Sequence, residues 1–484
     1  MPGRYCCEPG RKNDRYADLS DDGLIVGGRL NDRVIKFLRM LGFNRAVGYG
    51  VLTRAWGVLA GPVSILIIAS RFSKEQQGFY YTINSLLAMQ VFFELGLTGV
   101  IATFASHEFA TLRWCDRGRI EGAPRNLSRF ADLLSKAAKW FWVAAFLLAV
   151  ALIPAGLFFF GAEQHGAVEF AWRLPWVLAV LGTALNLMIV PFFAVMMGSG
   201  DVVTVNHREM VGGIIGTCIS WLVMGLHGGL YAACAVGFGN VVISWSYLLR
   251  QRPELLKLAW QRMLRKGEPG EEGLSWRDEV WPLQWRSAVT WGAGYFIFQI
   301  FTPVLFHYHG AAVAGQMGMT MSACNALLAV CITWINAKSP EFGKYIALRQ
   351  WADLDSLFAK VFKQSIVIVT GGAVAGWSVI YFLQAHFQVG QRFLPASQVA
   401  ILLVAMIVMI VNNCFAVYLR AHKQEPLMMV TIIASILYGT STLLLGKLHS
   451  SAGVITGFLT ITVLFGLPAI YLVWKRCRSS WHTE

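Results

Sequence analysis

The sequence predicts an all-α polytopic membrane protein, with about twelve transmembrane helices in two pseudo-symmetric six-helix lobes. Three observations predict this fold. Of the 484 residues, 56% are hydrophobic and 14% are charged, whereas about a quarter are charged in a typical soluble protein. The apolar residues form stretches of about 20, the length of a helix that crosses a bilayer. The basic residues are divided unequally between the connections on the two sides of those stretches.

Twelve stretches are placed as spans, each long enough to cross the hydrocarbon core. They lie at residues 48–70, 78–105, 137–161, 173–197, 208–226, 228–250, 287–307, 310–334, 364–386, 395–419, 426–446 and 450–474. With this assignment thirty-two Lys and Arg lie in the connections on one side and four in the short turns on the other. Because basic connections are retained in the cytosol, we expect both termini to be cytosolic.

The longest basic connection divides the chain into two sets of six spans. An amphipathic pattern precedes the first span, for which a solvated basic leader is the alternative. The predicted segments are a disordered cytosolic tail (1–29), a juxtamembrane amphipathic segment (30–47), an N-terminal six-helix lobe (48–250), a cytosolic linker (251–286), a C-terminal six-helix lobe (287–474) and a cytosolic tail (475–484).

The two halves show a faint internal similarity. A shift of 237 residues aligns three small residues of the first half with identical residues of the second: Gly57 with Gly294, Gly78 with Gly315, and Ser85 with Ser322. Their common order suggests a duplication. Because each copy has an even number of spans, the copies are predicted to be parallel repeats, with a central cavity between the lobes.

Two ionisable residues lie inside the first two spans, Arg54 and Glu94. A charge at membrane depth costs about 2.5–3.5 kcal/mol on insertion scales, so both are candidate substrate-binding residues. Gln90, Glu94 and Thr98 are spaced by four and share one helix face. Neighbouring spans often pack together, so an Arg54–Glu94 ion pair is compatible with the sequence. The alternatives are that Arg54 extends to the interface and that Glu94 is only its structural partner.

Helix-bending residues occur at similar places in the two halves. The first span contains Gly57, Gly61 and Pro62, and the seventh contains Gly294 and Pro303. Because proline removes a backbone hydrogen bond, these five residues are predicted hinges. Kinked spans in corresponding places point to a transport site. The alternative is that prolines are simply tolerated in packed membrane helices.

Uncharged polar residues in later spans extend the predicted binding site. Tyr295 and Gln299 share a face of the seventh span, Asn325 lies in the eighth, and Asn412 interrupts the tenth. We predict that these four residues line the cavity. Amides also join membrane helices to each other, which is the alternative for Asn412.

Several classes of function are disfavoured. The nine cysteines have no metal-ligand spacing, so neither a metal site nor a cofactor is predicted. No nucleic-acid motif accompanies the basic residues. No catalytic constellation emerges, and the outward connections are short and poor in charge, which argues against an enzyme.

Several stretches resemble a known family. They are Arg54 with the glycine- and proline-rich first span, Arg71-Phe-Ser-Lys-Glu-Gln-Gln-Gly-Phe-Tyr80, Phe93-Glu-Leu-Gly-Leu97, Ala105-Ser-His-Glu108, Trp281-Pro-Leu-Gln-Trp-Arg286, Gly292-Ala-Gly-Tyr-Phe296 and Tyr418-Leu-Arg-Ala-His-Lys-Gln-Glu-Pro426. Together they resemble the polysaccharide-transporter branch, the O-antigen and exopolysaccharide flippases, of the multidrug/oligosaccharidyl-lipid/polysaccharide exporter superfamily.

The resemblance implies two six-helix lobes that alternate between inward-open and outward-open forms in a bacterial inner membrane. The implied cargo is an undecaprenyl-pyrophosphate-linked oligosaccharide, with glycosyltransferases and a glycan polymerase as partners. A guanidinium suits a pyrophosphate because it forms paired, charge-assisted hydrogen bonds. Glu94 is then expected to bind a coupling proton or sodium ion. A drug or organic-cation antiporter of the same superfamily is the alternative, and a membrane enzyme of glycan assembly is a weaker one.

Overall fold

The computed structural model describes residues 45–115, 119–162, 170–264, 274–336, 338–422, 424 and 426–482. These residues are almost entirely helical, because a helix satisfies its backbone hydrogen bonds internally where no water is present. The predicted tail at 1–29 and residues 30–44 of the predicted amphipathic segment lie outside the described part of the chain.

The first half runs from α1 to α9. Its helices are α1 (Arg45–Arg71), α2 (Lys74–Leu87), α3 (Val91–Glu94), α4 (Leu97–Glu108), α5 (Pro124–Ala162), α6 (Arg173–Leu187), α7 (Val190–Gly198), α8 (Val202–Gly225) and α9 (Tyr231–Gln251). A short antiparallel sheet that the sequence does not predict lies between α4 and α5. It consists of β1 (Leu112–Trp114) and β2 (Ile120–Gly122), with Leu112 opposite Gly122.

The second half follows a connecting helix and repeats the pattern of long rods. Its elements are α10 (Pro253–Leu264), a π-helical turn (Trp276–Val280), α11 (Trp281–Phe298), α12 (Phe301–His309), α13 (Ala311–Asn336), α14 (Ser339–Ala347), α15 (Trp351–His386), a 3₁₀ turn (Gln388–Arg392), α16 (Ala396–Ala421), α17 (Met428–Ile461), a π-helical turn (Thr462–Gly466) and α18 (Leu467–Trp481). Helical structure therefore begins before the predicted linker ends at 286 and continues into the predicted tail at 475–484.

The described helices account for twelve membrane-length rods. Eight are long and apolar enough to cross a membrane, and ten stretches qualify when each of two bent pairs is counted as one span. α8 adds an eleventh rod of 24 residues. The twelfth is the return arm of α17, because Ser450 (φ 58°, ψ −146°) interrupts that helix. The Gly453 position lies against the Leu445 carbonyl, so the two arms form a hairpin.

Large apolar side chains cover the outside of these rods. Leu59 is 68% exposed, Phe158 is 78% exposed and Leu464 is 72% exposed. A water-soluble surface rarely presents so much contiguous apolar area. The chain is therefore an all-α polytopic membrane protein, and the predicted fold class is confirmed.

The bundle has two ends that are defined by their connections. We call the end that carries the Arg71–Lys74 turn the short-turn end, and the end that carries α10 the linker end. α5 has 39 residues and α15 has 36, about 58 and 54 Å at 1.5 Å per residue. Both exceed the hydrocarbon thickness of about 30 Å, so each extends beyond the membrane at the linker end, where it begins.

The two halves of the chain meet along two seams. In the first seam α1 packs on α13, and in the second seam α3 and α4 pack on α11. Between them α2 crosses α13, with Gly78 and Gly315 at the point of closest approach. These two glycines are separated by the same 237 residues as the sequence repeat. The internal similarity therefore coincides with a physical crossing of two corresponding helices.

Candidate functional site

The second span is broken directly after Glu94. Leu95 and Gly96 both adopt left-handed backbone conformations, with φ of 53° and 62°, and the helices on either side are inclined by 43°. A Cβ atom at Gly96 would lie 2.6 Å from Cδ1 of Trp291 on α11. Two features therefore favour glycine at this position: the left-handed backbone angle and the close approach of the second half.

Glu94 lies at the end of α3 and is half-buried. The Thr98 hydroxyl, one turn beyond the break, donates a hydrogen bond to Glu94 Oε1. Gln90 is the last residue of a 3₁₀ turn, Ala88–Gln90, which tightens the helix before the break. A carboxylate beside an interrupted helix is a common arrangement for binding an ion or a substrate within a membrane.

Arg54 lies on the face of α1 that is turned toward the first seam. Leu52 and Leu59 are 54% and 68% exposed and occupy the far side of the helix. Arg54 shares its own face with Gly61, seven residues later, and a Cβ at Gly61 would lie 3.9 Å from the Ala326 Cβ of α13. Arg54 itself is exposed. Its guanidinium therefore projects toward the space between the halves.

The Arg54–Glu94 ion pair does not form in this conformation of the described chain. α1 packs on α8 and α13, whereas α3 and α4 pack on α5 and α11. The two charged residues therefore lie on different seams although their spans follow each other in sequence. Sequence adjacency is a poor guide here because the halves interlock, so that each of the first two spans has its main contacts elsewhere.

Of the predicted hinges, two lie on either side of a helix break and three lie in an unbroken helix. α1 continues as one helix through Gly57, Gly61 and Pro62. In the seventh span α11 ends at Phe298 and α12 begins at Phe301, with a bend of 44°. Pro303 lies in the first turn of α12, and Gly294 lies inside α11. The hinge role of these residues stays a prediction.

The four uncharged candidates of the later spans lie in three places. Tyr295 is buried and its ring contacts Phe92 of α3 at 5.3 Å, while the Gln299 carbonyl accepts a hydrogen bond from Ser85 of α2. Both therefore lie where the halves meet. Asn325 is exposed on α13. Asn412 is buried within the second half, beside Gly466, and is not brought together with the others.

The short-turn end of the interface is closed. The Gln77 amide donates to the Gly315 carbonyl at 2.8 Å and to the Arg392 carbonyl at 3.1 Å. Arg392 in turn donates to the Phe72 carbonyl at 2.6 Å. Burial lowers the pKa of Arg392, and nearby Glu75 opposes that shift. The buried Gln77 and the half-buried Arg392 thus bridge the halves.

Aromatic rings seal the same end. Phe79 of α2 contacts Phe306 of α12 edge-to-face, with ring centroids 5.0 Å apart. Phe160 contacts both of them, at 5.1 and 5.2 Å. Such pairs add about 0.5–1.5 kcal/mol each beyond the area that they bury. The closed end is therefore an aromatic plug that both halves contribute.

At the linker end the second seam is also closed. Arg129 of α5 forms ion pairs with Glu108 of α4 at 2.8 Å and with Glu279, which precedes α11, at 2.6 Å. Lys136 donates to the Leu274 carbonyl. One arginine thus joins the first half to the segment that leads into the second.

The first seam separates toward the linker end. Gly61 and Ala326 are in van der Waals range, but a Cβ at Gly57 would meet nothing within 4 Å. Arg54 and Gly57 on α1 and Ala329 on α13 are exposed. The interface is therefore open on one side, and Arg54 lies at that opening.

The structure adds a polar side chain that the sequence does not single out as a candidate, Arg208 of α8. α8 begins at Val202, six residues before the predicted span start, so Arg208 lies inside the helix. Its Nε donates to Ser244 Oγ at 2.7 Å, and its guanidinium lies 4.2 Å from the Phe193 ring centroid. The polar run 206–209 lowers the local hydropathy and delays the predicted start. Asp201 lies immediately before the helix, and an aspartate at that position is a typical sign of a helix start.

Comparisons with known proteins agree on the fold. No protein-family model matches the chain, and no curated protein matches it by sequence. A multidrug resistance MATE family transporter of the MOP superfamily, in its inward-facing conformation, is similar in structure (TM-score 0.62, 13% identity, 90% of this chain and 99% of that one).

Two further solved structures are similar. They are the lipid II flippase MurJ in an inward closed conformation (TM-score 0.59, 11% identity, 89% of this chain and 87% of that one) and the MATE multidrug transporter DinF-BH in complex with a ligand (TM-score 0.56, 14% identity, 94% of this chain and 98% of that one). The chain therefore shares the fold of these solved transporters.

Proposed function

We propose that this protein is an alternating-access flippase for a lipid-linked oligosaccharide. In this proposal the cargo is an undecaprenyl-pyrophosphate-linked O-antigen or exopolysaccharide repeat unit, which moves from the cytosolic to the outer leaflet of a bacterial inner membrane. The linker end, which carries most of the basic residues in the described part of the chain, faces the cytosol. The conformation is then the one in which cargo enters, because the short-turn end is closed and the first seam is open.

A single observation carries the proposal: an exposed arginine with no ion pair among the described residues, located inside a membrane span at the opening between the halves. Arg54 is the tenth residue of α1, about 14 Å from the start of the helix. A guanidinium at this depth is costly unless an anion binds to it. A pyrophosphate head supplies that anion, while the polyprenyl tail stays in lipid at the open seam.

Glu94 and Thr98 are proposed to couple transport to an ion gradient. The carboxylate lies beside two left-handed residues, where the interrupted helix leaves carbonyl groups without their usual donors. Binding of a proton or a sodium ion there would change the contact between α3–α4 and α11, and with it the second seam. The glycosyltransferases and polymerase that make and use the cargo are the proposed partners.

The test measures surface glycan in a strain whose only copy of the gene is carried on a plasmid. Arg54→Ala is expected to insert at normal levels and to export almost no polymer, and Arg54→Lys to recover part of the export, because a point charge lacks the planar fork. Arg71→Ala, at the exposed end of the same helix, is the matched control and is expected to export normally. Normal polymer from Arg54→Ala would remove Arg54 from the mechanism.

A drug or organic-cation antiporter is the second candidate, favoured by the similarity to two multidrug transporters. It would use carboxylates, and α8 adds the exposed Glu209 to Glu94. The unpaired Arg54 disfavours a cationic cargo by charge repulsion. Drug sensitivity separates the two candidates: a deletion strain that becomes drug-sensitive while its surface glycan stays intact would support the antiporter.

A further inference from the structure

A groove runs along the outside of the second seam at membrane depth. It has a volume of about 550 Å³ and lies between α3, α11 and α17. The first half contributes Phe92 and Leu95, on either side of Glu94 in sequence. The second half contributes two rows of side chains, from Ala288 to Ile300 and from Ile432 to Leu443. The groove therefore crosses the boundary between the halves beside the broken span.

The lining offers nothing to a polar ligand. Its two hydroxyl groups are already used, since Ser435 donates to the Ile432 carbonyl at 2.8 Å and Thr440 donates to the Ile436 carbonyl at 2.7 Å. The other lining residues are apolar or glycine. A drug-like ligand needs a few convergent polar groups for orientation, so this groove suits a hydrocarbon chain.

The groove is continuous with the lipid-facing surface. Phe296, Ile436 and Leu443 line it and are 38%, 61% and 47% exposed. It follows α11 from Ala288 to Phe296 and α17 from Ile432 to Leu443, about 12 and 16 Å at 1.5 Å per residue. One leaflet of the hydrocarbon core is about 15 Å thick. A chain that enters from the bilayer therefore fits the groove along its length.

A positive charge lies just beyond the linker end of the groove. Arg286 is exposed and has no acidic partner among the described residues. It precedes Val289 by three residues and Ala293 by seven, so all three share one face of α11. Both of the latter line the groove. An amphiphile with its chain in the groove would place its headgroup at this guanidinium, which favours a phosphate.

We propose that this groove binds the polyprenyl chain of a lipid phosphate, with the phosphate at Arg286. This proposal rests on the proposed function, because its ligand is the lipid carrier of that cargo. The groove is a docking site on the outside of the second seam, separate from the open first seam that admits the pyrophosphate head to Arg54. A volume of about 550 Å³ spread over about 16 Å leaves a cross-section of about 34 Å², which admits one chain. Because α3 and α11 belong to different halves, the bound chain also contacts the seam that moves during transport.

The experiment uses the full-length protein in nanodiscs with a diazirine-bearing polyprenyl phosphate, followed by peptide mapping. We expect labelling in residues 288–300 and 432–443. Thr440→Trp, which fills the groove, is expected to reduce this labelling at least fivefold. Leu444→Trp is the matched control, because Leu444 is 60% exposed on the same helix and does not line the groove. Equal labelling of the two variants would overturn the proposal.

Two further arms test the headgroup and the chain. Arg286→Gln is expected to weaken binding of the polyprenyl phosphate about tenfold, the size of one charge-assisted interaction, and to leave binding of the uncharged polyprenol unchanged. Diacyl phosphatidylglycerol at the same mole fraction is expected not to compete. Full competition would assign the groove to ordinary bilayer lipid and overturn the proposal.

Failure of this proposal and failure of the proposed function give different results. If the groove labels as expected while Arg54→Ala still exports glycan, the flippase mechanism fails and the lipid site stands. If Arg54→Ala blocks export while Thr440→Trp labels like its control, the groove proposal fails and the flippase mechanism stands.

Discussion

The crossing of α2 and α13 offers a direct way to prevent closure of the short-turn end. A Cβ at Gly78 would overlap the Ala311 carbonyl and lie 2.8 Å from the Ala311 Cα. These are backbone atoms, so no side-chain rotation relieves the overlap. Gly78→Ala is therefore expected to force the two helices apart at the point where the halves meet.

The magnitude follows from the contacts that depend on this approach. Separation removes two hydrogen bonds from Gln77 and the Phe79–Phe306 ring contact. Each hydrogen bond contributes about 0.5–1.5 kcal/mol and the ring pair about as much, or about 1.5–4.5 kcal/mol together. At 1.4 kcal/mol per tenfold, the closed state is expected to lose about 10- to 1,000-fold in population.

The assay is pulsed electron paramagnetic resonance with spin labels at positions 70 and 388, in a background without other cysteines. Ser70 and Gln388 are exposed at the short-turn end, one in each half. Gly78→Ala is expected to shift the distance distribution to longer values. Gly376→Ala is the control, because its Cβ would meet nothing within 4 Å. Identical distributions for Gly78→Ala and the parent would refute this account of closure.

Two further substitutions test the second seam. Gly96→Ala is expected to lower the free energy of unfolding by about 2 kcal/mol, because Gly96 has a left-handed backbone and a Cβ there would overlap α11. Gly99→Ala is the control and is expected to be neutral or stabilising, because a Cβ at Gly99 meets open space. Equal melting temperatures for the two variants would contradict this. Arg129→Gln leaves the buried Glu108 unpaired and is expected to lower the free energy of unfolding by about 2 kcal/mol, measured by thermal unfolding in detergent. Glu279→Gln is expected to lower it less. An unchanged melting temperature for Arg129→Gln would contradict this.

The span pattern was predictable because it depends on a strong signal, the length of apolar runs. The structure places a rod at each of the twelve predicted spans. The predicted start of α8 lies six residues too far along the chain, because four polar residues, 206–209, follow the first turn of the helix. The antiparallel pair β1–β2 was missed because three-residue strands carry almost no periodicity. Both errors occur where the sequence carries only a weak hydrophobic pattern or mixes polar and apolar residues.

The geometry of the candidate site was less predictable. Proline suggested hinges at Pro62 and Pro303, but the break in the second span occurs at Leu95–Gly96, where a glycine accepts a left-handed angle and a leucine is held in one by its surroundings. Glycine alone does not reveal that conformation in a sequence. Tertiary packing also separates Arg54 from Glu94, since α1 and α3 contact different helices of the second half. The identity of the two charged residues could be predicted, but their arrangement could not.

Reconstituted transport tests the central claim most directly. Purified protein in proteoliposomes is supplied with a fluorescent undecaprenyl-pyrophosphate oligosaccharide, and its arrival in the opposite leaflet is followed by quenching. The wild-type protein is expected to accelerate the transfer well above protein-free liposomes, and Arg54→Ala to reduce the rate to that background. Equal rates for the wild-type protein and Arg54→Ala would contradict the account.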